Sequence, residues 1–288
     1  MRVFVPGATG HMGRAIVKAL QGRGHKVVGL ARSDQAAHAL EEMGAQVCRG
    51  DLTDPASLVT CAKRAGGVIN VARAPELDVA GRASAALLKA LAGSGKPLVV
   101  TTGSNIYGDT GSAPATEEAP ARPPAGEFLA AYERPVLAAT GIRTVIIRPG
   151  FVYGGAGAPS TQALLRLTRQ ANYGCYIGAG DERWSFVHVT DLADMYVRAL
   201  EEAPAGSVFN AAAEPAVTVK ELARALSLAA DCGGRTRSYT PEEAVSLLGE
   251  RATALLSRNK WICAQKATEL LGWTPRCPSV LDDLAALT

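Results

Sequence analysis

Three observations predict an α/β fold built on a doubly wound parallel sheet. Short apolar runs alternate with stretches of helical periodicity along the first half of the chain. Strands that alternate with helices pair in parallel and are covered on both faces. The first run, Val3-Phe4-Val5, leads into three glycines spaced three apart, Gly7, Gly10 and Gly13, and a helical pattern follows.

Each of those glycines has its own use. Gly7 allows a tight turn at positive φ, Gly10 lets the backbone approach a diphosphate, and Gly13 lets the new helix pack on the strand it came from. The helix then turns open N–H groups and the positive end of its dipole toward the phosphates. This is the first strand–turn–helix of the chain, the context in which a glycine triplet marks a dinucleotide site.

Strands are expected at 2–5, 26–30, 46–48, 67–71, 97–101 and 143–148. Helices are expected near 12–22, 35–43, 55–63, 78–91 and 127–139. Right-handed crossovers make this a doubly wound sheet with its ligand crevice at the carboxyl ends of the strands. Residues 109–126, rich in alanine and proline, break the rhythm. They read as a long surface loop over the crevice, either a passive connector or a substrate-side loop. Beyond Arg148 come a helix at 161–170, an apolar bend at 173–178, and the stretch 183–191. Thr190 or Asp191 can cap the helix that runs on to Glu202. A strand at 207–210 and three helical patterns from 216 onward complete the chain. The division expected is a dinucleotide-binding domain at 1–150, with 186–211 returning to it. Residues 151–185 and 212–288 form a smaller substrate-binding lobe that covers the crevice.

Composition narrows the function classes. With 288 residues, 48% of them hydrophobic, the chain has ample core for one large or two unequal domains. The net charge of +3 is small and scattered, with no basic run, which argues against nucleic acid. The six cysteines, at 48, 61, 175, 232, 263 and 277, form no CxxC pair. The four histidines make no metal-ligand spacing with them, so no metal is expected. They read as reduced, mostly buried thiols of a cytoplasmic protein. The first residues run directly into a strand, so no signal peptide is expected, and no apolar stretch is long enough to span a membrane.

Further motifs occur in a fixed order. Gly50-Asp51-Leu52 follows the third strand, and Thr101-Thr102-Gly103-Ser104-Asn105-Ile106-Tyr107-Gly108 closes the fifth. Thr116-Glu117-Glu118 precedes Pro120 and Pro123, and Arg148-Pro149-Gly150-Phe151-Val152-Tyr153-Gly154 closes the sixth strand. Phe186-Val187-His188-Val189-Thr190-Asp191 and Leu271-Gly272-Trp273-Thr274-Pro275 lie further on. With the glycine stretch, these resemble the extended short-chain dehydrogenase/reductase superfamily, in its epimerase/dehydratase branch, over almost the whole chain. The resemblance implies a Rossmann-type sheet domain and an adenine-contacting turn at Asp51 and Leu52. It implies further cofactor contacts from Thr9, His11, Met12, Val71, Ala72, Arg73, Pro149 and Val152. It also implies a small-molecule substrate and a homodimer through paired helices of the sheet domain.

Register decides the cofactor expected. An acidic residue about twenty positions past the glycines binds a ribose 2′-hydroxyl, and Asp34 lies near that distance. The second strand ends at Leu30, however, so Ala31 faces the ribose, and Asp34 falls at the next helix start as an N-cap. Arg32 and Ser33 offer a guanidinium and a hydroxyl to a 2′-phosphate. NADP is therefore expected ahead of NAD.

The catalytic pair is the anomaly. The family usually carries Tyr-x-x-x-Lys, in which the tyrosine passes a proton and the lysine lowers its pKa. Four residues beyond Tyr107, Tyr132 and Tyr153 stand Gly111, Val136 and Gly157. With Glu133 aligned to the family's glutamate, the lysine position holds Leu129 and the tyrosine position Ala125. The standard pair is missing. Tyr107 is the replacement acid/base candidate, with Ser104 and Thr102 as strand-end hydroxyls. Tyr153, Arg73 and His188 follow, and Arg73 also supplies a positive charge near the expected ribose. Phe151, Trp184, Tyr173 and Tyr176 suggest a less polar pocket for an aromatic or polyketide-like molecule. The reading is an NADP(H)-dependent oxidoreductase acting on a carbonyl or alcohol. The alternatives are an isomerase, cyclase or lyase with a structural or absent cofactor, and a non-catalytic redox sensor.

Overall fold

The computed structural model describes residues 1–287 apart from 75, 124, 156 and 157. Gly157, the position four beyond Tyr153, and Pro124 of the long loop lie outside the described residues. The first half runs β1 (Arg2–Val5), α1 (His11–Gly22), β2 (Lys26–Ala31), α2 (Asp34–Glu42), β3 (Gln46–Arg49), α3 (Pro55–Lys63), β4 (Gly67–Asn70), α4 (Leu77–Leu91) and β5 (Pro97–Thr101). A 3-10 turn, Ser104–Tyr107, precedes α5 (Ala125–Leu137) and β6 (Arg143–Pro149). Then come β7 (Phe151–Tyr153), α6 (Pro159–Ala171), β8 (Gly174–Ile177), β9 (Arg183–His188), α7 (Val189–Glu202) and β10 (Ser207–Ala211). The chain closes with β11 (Ala213–Thr218), α8 (Val219–Ala229), β12 (Thr236–Tyr239), α9 (Pro241–Leu248), α10 (Glu250–Leu256), α11 (Gln265–Leu271) and α12 (Val280–Ala285).

The central sheet has the order β10-β6-β5-β4-β1-β2-β3, and its pairings are all parallel. Both faces are apolar because alternate residues serve different cores. Val3 and Val5 of β1 pack with Ile16 and Leu20 of α1, while Phe4 packs with Leu58 of α3 and Leu87 of α4. The same alternation holds at Val145, Ile146 and Ile147 of β6. The order reverses between β1 and β4, and such a reversal opens the ligand crevice of a doubly wound sheet.

The second half departs from the expected division. Of 186–211, α7 and β10 belong to the central sheet, but β9 pairs with β7 and β11 in a separate three-stranded sheet. The cause is β7. It leaves the central sheet at Gly150 and draws β9 into parallel register, with Phe151 beside Phe186 and Tyr153 beside His188. The lobe core is aromatic and aliphatic, with Tyr153, Trp184, Phe186, Leu222 and Leu226. Nor does all of 212–288 join the lobe. Ile262, Ala264, Ala267, Leu271 and Trp273 pack into the core of the sheet domain, and Trp273 donates through Nε1 to the carbonyl of Asp191 at 2.8 Å.

Three local expectations change as well. The cap of α7 is His188, whose Nδ1 accepts from the Thr190 amide; Asp191 instead accepts from the amides of Arg276 and Cys277. The loop 109–126 is zipped to residues 259–263. Ala115 donates to Trp261 O at 2.8 Å and accepts from Cys263 N at 3.0 Å, and Thr110 donates to Asn259 O at 3.1 Å. Among its described residues none lines the crevice. Finally, the cysteines are not all reduced. Cys48 of β3 and Cys61 of α3 meet at the edge of one apolar cluster and form a disulfide with Cα atoms 6.2 Å apart, leaving four free thiols. Among the described residues no helix is long and apolar enough to cross a membrane.

Thiol titration checks the pairing. Protein unfolded without reductant is expected to react at four cysteines, and at all six after reduction; six without reductant would contradict the disulfide.

Candidate functional site

The crevice opens where β1 ends. Gly7 sits at φ +86°, and a Cβ on it would lie 2.7 Å from the Ala72 amide. A Cβ on Gly13 would lie 2.0 Å from Gly7 O, so α1 is pressed against its own turn. Gly10 caps α1 with no side-chain hydrogen bond, which leaves the first-turn amides for an incoming acceptor. His11, the first residue of α1, has its Nε2 buried without a hydrogen-bond partner among the described residues. Its own burial and the neighbouring His188 hold its pKa below the usual histidine range.

The cavity measures about 620 Å³. Gly7, Thr9, Gly10, His11, Met12 and Gly13 form its base, Arg32, Asp51 and Leu52 one end, and Val71, Ala72, Arg73 and Val152 the rest of the expected wall. Two expected contacts fall elsewhere. Ser33 is the N-cap of α2, its Oγ accepting from Ala36 N at 3.2 Å. Pro149 is buried at the end of β6, in register with Ala211. Gly150, Phe151, Pro159 and Ser160 complete the far wall. Phe151 was visible in the sequence as a pocket aromatic; Pro159 and Ser160 carried no signal because only the approach of α6 brings them in.

The polar end of the crevice is ordered by short contacts. Asp51 accepts from Thr53 N and Thr53 Oγ1, both at 2.8 Å. Those hydrogen bonds, with help from Arg32, hold its carboxyl below the usual range. Asp34 is not the cap of α2 but its first residue, and it is paired with Arg49 at 2.7 Å. Arg32 is exposed on the crevice wall. A glycine base that excludes a Cβ, open helix amides and a guanidinium at one end suit a dinucleotide.

The three catalytic candidates do not converge there. The 3-10 turn rotates Tyr107 into the core, where it is 1% exposed. Its hydroxyl donates to Asn210 Oδ1 at 2.7 Å and accepts from Arg148 Nη1 at 2.8 Å. Burial pushes its pKa up to about 12. A hydroxyl so enclosed cannot exchange a proton with a ligand in the crevice, which removes the acid/base role expected of Tyr107. Thr102 is also engaged, its Oγ1 donating to Glu133 Oε1 at 2.6 Å. Ser104 is half-buried and makes no side-chain hydrogen bond to a described residue. It stands at the end of β5, beside the β4 end that carries Val71 to Arg73, but it does not line the cavity.

Glu133 and Arg148 form a buried bidentate pair, Nε to Oε1 at 3.0 Å and Nη2 to Oε2 at 2.5 Å. Leu129, at the missing lysine's position, packs against the apolar core, and Ala125 is exposed at the start of α5. Tyr153 donates to Pro278 O. Tyr173 meets Tyr239 hydroxyl to hydroxyl, and Tyr176 lies under Lys220, so both tyrosines sit at the β8–β12 sheet away from the crevice. Phe151 and Trp184 do stack, with centroids 4.6 Å apart.

A parallel sheet with a glycine base at its reversal point places the chain among doubly wound nucleotide-type folds. The family model described as the NAD dependent epimerase/dehydratase family matches residues 3–212, and the chain belongs to that family. It is 31% identical to an uncharacterized protein of Schizosaccharomyces pombe over 99% of both chains. It is 30% identical to an isoflavone reductase homolog of Zea mays, across 85% of this chain and 79% of that one. A solved dTDP-glucose 4,6-dehydratase from Bacillus anthracis, in complex with NAD, superposes with a TM-score of 0.80 at 18% identity, over 100% of this chain and 96% of the other; that likeness is one of fold.

Tyr107→Phe tests the structural assignment. It removes the donor to Asn210 Oδ1 and leaves Arg148 Nη1 with only the Glu117 carbonyl, so stability is expected to fall by about 1–3 kcal/mol in denaturant titration, with dinucleotide affinity unchanged. Full stability together with lost turnover would restore a chemical role.

Proposed function

We propose that the protein is an NADP(H)-dependent oxidoreductase acting on a carbonyl or alcohol of a small, largely apolar molecule. The observation that carries the reading is the cradle of Gly7, Gly10 and Gly13 running to an exposed Arg32, with Asp34 paired to Arg49. No carboxylate stands at Ala31 to repel a 2′-phosphate, and Arg32 can grip one bidentately. The Zea mays isoflavone reductase homolog supports a reductase, and the Bacillus anthracis dehydratase, solved with NAD, supports a nicotinamide dinucleotide in this crevice.

When bound, the cofactor supplies or accepts hydride at nicotinamide C4. The residues of this chain do the rest. The first turn of α1 holds the diphosphate. Arg73 places a positive charge on the wall below the β4 end, and Phe151 and Val152 give the substrate an apolar surface that excludes water. With Tyr107 and Thr102 engaged elsewhere and Ser104 outside the cavity lining, the proton that a carbonyl oxygen would need on reduction would come from solvent.

The enclosure of Tyr107 favours a second reading: the dinucleotide is held without net redox turnover, in an isomerase, cyclase, lyase or redox sensor. Binding of NADPH and NADH, followed by a screen of ketones and enones for loss of nicotinamide absorbance, separates the two. Oxidation with any of them supports the reductase; tight binding with none oxidised across a broad panel favours the second.

Arg32→Ala is expected to weaken NADPH binding by about 10- to 100-fold and to leave NADH binding within about twofold. An equal effect on both, by calorimetry, would remove the preference for NADP.

A further inference from the structure

The edge strand β3 is the least secured strand of the central sheet. It pairs only with β2, and none of its residues is fully buried, whereas the other strands bury most of theirs. Its covalent anchor is the disulfide from Cys48 to Cys61 of α3. The two ends of that bond differ. Cys61 is 5% exposed, in the cluster of Phe4, Leu58 and Ala62, while Cys48 is half-buried on the sheet's open edge.

The residues enclosed by the bond connect it to the crevice. Between the two cysteines run Gly50, Asp51, Leu52 and Thr53, all of which line the cavity. Single hydrogen bonds hold this turn. The Gly50 amide donates to Ala31 O at 3.1 Å, the Asp51 amide to Ser57 Oγ at 3.3 Å, and the Asp54 amide to Asp51 O at 3.0 Å. Ser57 stands on α3 one helical turn before Cys61. The cross-link therefore fixes the turn at both ends, at the strand it leaves and at the helix it enters.

We propose that the Cys48–Cys61 pair is a redox switch on the dinucleotide site: oxidised, it holds the turn at residues 50–53 in place, and reduced, it frees β3 and weakens dinucleotide binding. This rests on the reading of the crevice as a dinucleotide site and adds a regulation to it. On oxidation the two thiols give up two electrons and two protons to a low-molecular-weight disulfide such as oxidised glutathione. The Cys48 thiolate attacks that disulfide and one glutathione thiol leaves; Cys61 then displaces the second from the mixed disulfide. Reduction is the reverse. The two freed sulfurs part to van der Waals separation. Cys61 is held in the core, so Cys48 takes up the displacement, two residues before Gly50. The loop also regains freedom that the cross-link had removed. By linkage, a dinucleotide that binds the oxidised form more tightly favours the disulfide by the same factor.

The test measures NADP⁺ binding by calorimetry on the full chain, oxidised and after anaerobic reduction with a phosphine, and repeats it with Cys48→Ser and Cys61→Ala. Reduction is expected to weaken binding at least about fivefold. Both variants are expected to bind as the reduced wild type does, with or without reductant, which separates this pair from the four other cysteines. In glutathione buffers, saturating NADP⁺ is expected to raise the equilibrium constant for the disulfide by the same factor. In the ligand-free protein the amides of Gly50, Asp51 and Asp54 are expected to exchange hydrogen at least about tenfold faster after reduction. Equal NADP⁺ affinity in the two redox forms, a variant that binds as tightly as the oxidised wild type, or unchanged amide exchange would overturn the switch. If one variant does not fold, the wild-type comparison and the other variant decide it. Equal binding by both forms removes the switch alone; binding of NADP⁺ or NAD⁺ by neither form removes the dinucleotide reading and the switch with it.

Discussion

One buried ion pair, Arg148 with Glu133, holds the strand ends together. It joins β6 to α5, and its remaining donors and acceptors reach Tyr107, Thr102 and the carbonyl of Glu117. Through Tyr107 it reaches Asn210 of β10, which also donates to the carbonyls of Ala115 and Cys263. Two charges taken out of water are tolerable only when nearly every lone pair and proton is satisfied. That requirement explains why so many polar side chains converge there. It also explains why they are unavailable elsewhere: a hydroxyl that completes a buried charged network is not free to pass protons.

The crevice is then a site of unequal parts. Its phosphate end is complete, because the close approach of Gly7 to Ala72 and of Gly13 to Gly7 leaves room for nothing but backbone. On α5, Ala125 is exposed and Leu129 is partly buried against the core. A positive charge does stand on the crevice wall, Arg73 after β4.

Much of this was legible in the residues. Apolar period and glycine spacing located the strands of the central sheet and the base of the crevice, since both depend on local geometry. Arg32 was legible for the same reason: its place follows from counting to the end of β2. Ser33 also caps α2, which is visible only once the backbone angle is known, and its exposed hydroxyl keeps a proton to donate. Tyr107 reads as a strand-end residue, but the chain turns there into a 3-10 helix that carries it into the core. A spacing of 13 between Cys48 and Cys61 carries no sign of pairing; only the fold brings their Cα atoms to 6.2 Å.

By itself the sequence determined the doubly wound sheet, the glycine cradle and the absence of Tyr-x-x-x-Lys, because each is written in contiguous residues with a fixed period. Only the tertiary structure decided which polar groups face the crevice. Tyr107 turns inward to Arg148, and residues 259–263 clamp the long loop. Those outcomes depend on contacts between segments distant in the chain, and the energy of burying a charge is set by whatever neighbours such contacts bring.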